Sequence, residues 1–444
     1  MLGLYSILMR LAQPLVRRKM AKRAIKEPGY GQVVNERFGH YRQVKDPTAQ
    51  WVWVHAVSLG ETRTAAILLK ALRDHHPGLR ILLTHGTATG REEGRALLQA
   101  RDVQVWQPWD TQVVVQRFFK HFQPRLGLLM ETEVWPCLVA GAQGCGMPLV
   151  LVNARLSDKS LRQALTMSPL AYPAYGALTA VLAQTQADAQ RFRQLGVEVA
   201  GVLGNLKFDA SPSQEQQASG KAWRTALRQS VKSVVMFASS REGEESLFLE
   251  QIMTIAQSNR ALAATDSIVN MENEQPVKYL IVPRHPQRFD EVESLVRQHG
   301  LTVSRRSSWF ASPLEDTDAM KADVWLGDTL GEMPLYYGLS DVALLGGSFE
   351  NLGGQNLIEA AACGCPVVMG PHTFNFLDAA ELAEAAGAAL RVADMAEGLQ
   401  CAISLTQDGQ QQKASVQAAL AFAAAHQGAT ARTVQALAPY LSVG

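Results

Sequence analysis

The chain has 444 residues, of which 47% are hydrophobic and 19% charged, and its formal net charge is +1. That length exceeds the roughly 250–300 residues at which a single core stops growing, so two domains are expected. The composition excludes a disordered chain, and the near-zero charge gives no reason to expect nucleic acid as a partner.

The charge is unevenly spread. Residues 17–26 (RRKMAKRAIK) hold six basic residues and no acid. They follow MLGLYSILMRLAQPLV, in which Leu4, Ile7, Leu8, Leu11 and Leu15 recur at helical spacing. A membrane span needs about 20 apolar residues, and Arg10, Gln13 and Pro14 interrupt this run. A secretory signal puts its charges before the apolar stretch, not after it. The pattern fits a monotopic anchor on the cytoplasmic face, with cations meeting anionic lipid. The alternative is an ordinary helix packed on its own domain. Cysteines 137, 145, 363, 365 and 401 make an odd count without a disulfide framework, so buried reduced thiols in a cytosolic body are expected.

Beyond the anchor the pattern is strand, loop, helix, repeated. Strands are predicted at 51–58, 80–86, 103–108, 126–131, 148–154, 180–185 and 199–204. The polar stretch 211–221 (SPSQEQQASGK) interrupts the pattern. It resumes with strands at 233–240, 279–285, 323–328, 341–348 and 366–371, broken by low-order loops at 263–276 and 305–321. Near-continuous apolar strands alternating with helices predict parallel sheets covered on both faces, in two doubly wound α/β domains. Ligands of such sheets sit beyond the C-terminal strand ends.

In the first half those ends carry His55, Ser58, Gly60 and Glu61, then Thr87 within THGTATG (84–90), then Glu131 and Glu133. Ser58-Leu-Gly-Glu61 matches a capping box, in which the acid bonds back to the cap residue's amide. Glu61 is therefore read in two ways, as a helix cap and as a base. Glu131, on what should be a neighbouring strand end, would orient or stabilise charge beside it. Glu133 is equally suited to satisfy donors in its turn. Lys207, in GNLKFD, would face the gap between domains and neutralise an anion there, or be a solvated lysine at a domain edge.

In the second half, Ser239 and Ser240 open a helix after a strand, where an anion can bind. Arg284 and His285 follow the next strand, and the GDTLGEM loop (327–333) the one after. LLGGSFENLGGQNLIEAAACGCPVVMGP (344–371) reads as strand, glycine-rich loop, helix, strand, with Asn356 at a helix start and Glu359 one turn in. No Walker lysine or GxGxxG is present, so the phosphate site is of neither common kind, and with no HExxH or metal-spaced acidic pair no metal site is predicted.

In order, the anchor, HAVSLGE, METEVWP, NARLS, AQTQADAQRFRQLG, GNLKFD, PRHP, GDTLGEM, GGSFENLGGQN and MGPHTFNF resemble the 3-deoxy-D-manno-octulosonic acid (Kdo) transferase family of lipid A assembly. The resemblance covers nearly the whole chain. It implies the GT-B fold: two tandem Rossmann-like doubly wound domains facing across a cleft, with an N-terminal membrane-anchor helix. The expected organisation is an anchor and basic segment (1–26), an acceptor domain (27–210), a linker (211–232), a CMP-sugar domain (233–420) and C-terminal helices (421–444) that pack back on the first domain. Glu61 becomes the general base, with Glu131 and Lys207 stabilising the transition state. CMP contacts would fall on Ser239, Ser240, Arg284, His285, Gly331, Glu332, Met333, Asn356, Leu357, Ile358 and Glu359, with His55, Ser58, Gly60 and Thr87 on the acceptor side. The implied reaction is inverting transfer of Kdo from CMP-Kdo to lipid IVA, an acylated glucosamine disaccharide, without cofactor or metal, at the inner membrane and its anionic lipids. The chain departs from the family pattern at Ser240-Arg241, where a Thr-His pair is expected, and at Gln355 and Leu357, where His and Pro are expected. A nucleotide-sugar epimerase of similar two-domain fold would act on the donor alone and need no anchor. A non-catalytic sugar-binding protein would usually be exported, which neither a signal peptide nor disulfides support.

Overall fold

The apolar runs form strands buried along most of their length, as a sheet with helices on both faces requires. The computed structural model describes residues 1–209, 212–265, 275–310 and 312–441. The chain folds as two compact units, one of Met1–Asp209 with His426–Gly444 and one of Ala210–Ala425.

The first unit contains β1 (Val52–His55), β2 (Ile81–His85), β3 (Val103–Trp106), β4 (Leu126–Met130), β5 (Leu149–Ala154), β6 (Ala180–Ala183) and β7 (Val199–Val202). All pair in parallel, in the order β3-β2-β1-β4-β5-β6-β7. The order reverses between β1 and β4, which sets the ligand crevice of a doubly wound sheet there. Leu68, Leu69 and Leu72, from the helix Leu59–His75 that follows β1, share a core with Val52, Val54, Leu128 and Leu437. Each such leucine is worth roughly 1.5–3 kcal/mol when fully buried. Leu437 comes from the helix Ala429–Leu441, which covers this face of the sheet. Asp209 ties that return in place by accepting from the Gly428 N–H at 2.6 Å and from the Thr430 N–H. The return begins at His426, not at 421.

The second unit contains β8 (Ser233–Ser240), β9 (Val277–Pro283), β10 (Val303–Arg305), β11 (Val324–Leu326), β12 (Val342–Leu345), β13 (Val367–Met369) and β14 (Ala389–Arg391). Their order is β10-β11-β9-β8-β12-β13-β14, reversing between β8 and β12. The edge strands β10 and β14 were not expected. Three residues carry too little alternation to register as a period. The stretch 305–321 is likewise not plain loop, since Thr317–Lys321 is helical with Asp316 as its cap. Of the other predicted loop, 263–276, residues 266–274 lie outside the described residues, and the helix Glu244–Thr265 runs into its start.

The expected linker at 211–232 is corrected. Gln214–Leu227 is a helix of the second unit, capped by Ser213, with Arg224 pairing Asp341 at 2.7 Å. Its polar composition belongs to an outer face. Gly220 lets it approach the helix Met333–Leu339, because a Cβ there would lie 2.1 Å from the Leu335 carbonyl oxygen. Gly220→Ala should therefore destabilise the second unit by about 1–3 kcal/mol through overpacking, although alanine is the better helix former by about 1 kcal/mol. Urea unfolding checks the sign.

The N-terminal segment forms two helices, Leu2–Leu11 and Gln13–Lys26. The first docks by one face: Leu2 and Tyr5 pack on the core of the first unit, the Gln112 N–H donates to Ser6 Oγ at 3.0 Å, and Trp109 Nε1 donates to the Met9 carbonyl at 2.8 Å. The other face leaves Leu4, Ile7, Leu8 and Leu11 between 57% and 70% exposed, and Leu15 of the second helix is 71% exposed. Both expected features, domain packing and an outward apolar stripe, occur in one helix. Among the described residues no helix is long and apolar enough to cross a membrane. Cys145 is exposed and Cys401 half-buried, so only Cys137, Cys363 and Cys365 match the expectation of buried thiols.

Candidate active site

Glu61 lies in the first turn of the helix that follows β1, and Glu131 directly follows β4, so the two acids flank the reversal of the first sheet. The capping interaction at Glu61 differs from the expected one. Ser58 Oγ accepts from the Glu61 N–H at 3.3 Å, but the carboxylate reaches one residue further back: its Oε2 accepts from the Val57 N–H at 2.8 Å and its Oε1 from the Ser58 hydroxyl at 2.9 Å. Two donors, one on each oxygen, thus fix its rotamer. A carboxylate in the first turn of a helix is ordinarily kept ionised by the helix dipole, and here burial works against that. Burial, then the charges of Glu133 and Glu131, outweigh these hydrogen bonds and lift its pKa to about 7. A base poised at the working pH combines availability with proton affinity.

Glu131 has φ +58°, a left-handed conformation uncommon for a non-glycine residue. It is held there by its own N–H on the Val152 carbonyl at 3.0 Å and by the Arg155 N–H on its carbonyl at 3.2 Å. Backbone strain of this kind is retained where the surroundings over-determine it, often at functional sites. The turn aims the carboxylate at Lys207, whose Nζ lies 3.0 Å from Glu131 Oε1. Glu133 accepts from Trp135 Nε1 at 2.8 Å, so the pairing partner it finds is a side chain. Burial raises its own pKa.

Two residues that hold this trio were not singled out from the sequence. Asn153, buried and itself at φ +53°, accepts the Leu206 N–H on Oδ1 at 3.0 Å, and Asn205 Oδ1 accepts the Lys207 N–H at 3.0 Å. Together they set the turn that presents Lys207. NARLS and GNLKFD contain these asparagines, but no spacing links residues 53 apart in the chain.

His55 is corrected from an acceptor contact to a core residue. It is fully buried in β1, and the Thr84 hydroxyl, which accepts from Trp53 Nε1, lies 2.8 Å from His55 Nδ1. Burial lowers its pKa to about 3, so it stays neutral. Thr87 caps the helix Ala88–Arg95 and donates to the Val57 carbonyl at 3.0 Å, buttressing the turn that holds Glu61. Ser58 is committed to Glu61, and Gly60 is exposed at the rim.

In the second unit the reversal between β8 and β12 is closed by a buried carboxylate. Glu244 accepts from the Gly347, Phe349 and Glu350 N–H groups at 2.7, 3.1 and 3.3 Å. Those amides of the glycine-rich loop are occupied. Gly346 serves close backbone packing, since a Cβ there would lie 2.2 Å from the Ser239 carbonyl oxygen. Ser240 is buried with its hydroxyl on Glu245 Oε1 at 2.9 Å, whereas Ser239 is half-buried at φ +57°. Arg284 Nε donates to Gln355 Oε1 at 3.2 Å, linking the ends of β9 and β12. His285 is half-buried near Arg241 and Arg284, and burial and those charges lower its pKa. The arginines make this rim positive and the neutral imidazole adds a donor, a combination suited to a phosphate. Arg288, not noted in the sequence, anchors it through Glu245 at 2.7 Å. Gly331 is exposed at φ +78°, Glu332 pairs Arg306 at 3.2 Å, and Met333 starts the next helix. Asn356 Oδ1 accepts the Ile358 N–H at 3.1 Å, so it caps its helix. Leu357 and Ile358 are buried, which leaves only their backbone for a ligand, and Glu359 is half-buried. Among the described residues no group of three or more His, Cys, Asp or Glu is placed to hold a metal.

A family model described as 3-deoxy-D-manno-octulosonic-acid transferase matches residues 32–210. The chain is 45% identical over 446 residues to 3-deoxy-D-manno-octulosonic acid transferase of Bordetella pertussis, covering 99% of each. It is 30% identical over 440 residues to the Haemophilus influenzae protein of the same description, covering 98% of each. Among solved structures it is similar to UDP-GlcNAc 2-epimerase from Neisseria meningitidis bound to UDP-GlcNAc, with TM-score 0.54 and 14% identity over 88% of this chain and all of that one. At that identity the likeness is one of fold.

Proposed function

The chain belongs to the 3-deoxy-D-manno-octulosonic acid transferase family, and from that premise we propose the route by which it carries out Kdo transfer in lipopolysaccharide biosynthesis. The donor is CMP-Kdo, and the acceptor is lipid IVA. Glu61 takes the proton from the acceptor hydroxyl as its oxygen attacks the anomeric carbon and the bond to CMP breaks. A single base with no carboxylate nucleophile makes this one displacement, with inversion. Lys207, held on Glu131, stabilises charge on the reacting sugar. Arg284, as the cation, and His285, as a neutral hydrogen-bond donor, take up the charge that grows on the departing phosphate. Each unit is by itself a parallel α/β sheet of the kind from which the GT-B fold of this enzyme class is built. The observation that carries the reading is the Glu61 carboxyl, fixed by two hydrogen-bond donors and with its pKa lifted to about 7 beside the Glu131–Lys207 pair.

The exposed apolar stripe of the N-terminal helix and the six cations behind it support seating on the cytoplasmic face of the inner membrane, where an acylated acceptor resides. Mass spectrometry of a tetraacylated lipid A precursor incubated with purified protein and fresh CMP-Kdo is the test. Whole Kdo units should be added to the lipid, and the mass counts them. Conversion of the donor without lipid product would mean an epimerase or hydrolase instead.

A further inference from the structure

The first unit carries a cavity of about 380 Å³, remote in sequence from the acids of the site, with Gly3, Ile7 and Arg10 of the first helix along one wall and Arg117 along another. Arg17 closes it from the second helix. Three exposed arginines therefore line one space, and among the described residues none of them is paired with a carboxylate. Arg17 lies over the Phe38 ring at 3.6 Å, and Arg117 donates to the Phe38 carbonyl at 3.4 Å. The dipole of the helix Gln112–Phe122, whose first turn also lines the space, adds to the positive potential. Uncompensated arginines gathered in one concavity are suited to the planar, bidentate recognition of a phosphate.

The cavity opens beside the exposed apolar stripe. Ile7 belongs to both, being 57% exposed and part of the cavity wall. A free anion would use the arginines and leave the stripe uncovered. A phosphate that carries acyl chains would use both. We propose that the cavity of Arg10, Arg17 and Arg117 binds the phosphate of an anionic glycerophospholipid headgroup, whose chains lie along Leu4, Ile7, Leu8 and Leu11. This rests on the proposed seating of the protein on a membrane and gives that seating a discrete site, distinct from the diffuse pull of the basic run.

The test compares binding of the full chain to phosphatidylcholine vesicles with and without phosphatidylglycerol. The triple variant Arg10→Gln/Arg17→Gln/Arg117→Gln is set against Arg18→Gln/Lys19→Gln/Lys22→Gln, which removes the same charge from exposed positions outside the cavity. The cavity triple should lose at least about tenfold more affinity for the anionic vesicles than its control, because charge-assisted hydrogen bonds are lost with the charge. Gly3→Glu provides a variant that folds readily, since a Cβ there meets nothing within 4 Å and glutamate favours a helix over glycine. It adds a carboxylate at the cavity wall, and it should lose preference for anionic vesicles while keeping its binding to neutral ones. Inorganic phosphate should displace the wild type from anionic vesicles no better than chloride at equal ionic strength; specific displacement would mean a free-anion site and overturn the lipid assignment. Equal losses in the two triples would overturn the cavity and leave the membrane seating intact. A wild type indifferent to phosphatidylglycerol would overturn both.

Discussion

Glu61→Gln is expected to lower kcat for Kdo transfer by about 10²–10⁴-fold with KM little changed, the size of effect general-base catalysis supplies. The amide keeps the side-chain shape and one of the two oxygens that accept from Val57 and Ser58. Ser58 still caps the helix through the backbone N–H of residue 61. What is lost is the ability to take a proton. A residue serving only as a cap would behave oppositely, costing about 1 kcal/mol of stability and leaving kcat intact. Steady-state kinetics with a thermal melt separates the two.

Lys207→Met should cost about 10²–10³-fold in kcat, comparable with removing one preorganised group that stabilises transition-state charge. It also leaves the Glu131 carboxylate without the cation 3.0 Å away. That charge already raises the Glu61 pKa, together with Glu133. With its neutralising partner gone it should raise it further, so the acid limb of the rate profile moves to higher pH. A solvated lysine at a domain edge would alter neither rate nor profile. Measuring kcat across pH for the variant reads both effects.

Much of this site was legible because parallel-sheet strands are long apolar runs that end in turns. The runs ending at Met130 and His55 located Glu131 and Glu61, and the pairing of β1 with β4 made them neighbours. Lys207 was visible as a cation but its placement was not. It depends on Asn153 reaching the Leu206 N–H, a bond between distant turns that no period encodes. Glycine patterns misled in a different way. A glycine-rich loop after a strand suggests close approach, but a missing Cβ does not say what approaches, and at Gly346 it is the Ser239 backbone. His55 stands at a strand end in the sequence, which pointed to the rim, whereas the last residue of β1 is still covered on both faces. The helix Gln214–Leu227 was hidden for the converse reason: its outer face is polar and its contact face turns on Gly220.

The central claim, that Glu61 is a base held near neutrality, is tested most directly by the pH dependence of kcat/KM for Kdo transfer, which reports the essential groups of the free enzyme. A carboxylate must be ionised to accept a proton, and its pKa is raised, so activity should fall as the pH drops through about 7. Glu61→Gln should show no such limb in its residual activity. A wild-type limb near the ordinary glutamate value of about 4.3, or one near 7 that survives in Glu61→Gln, would contradict the assignment.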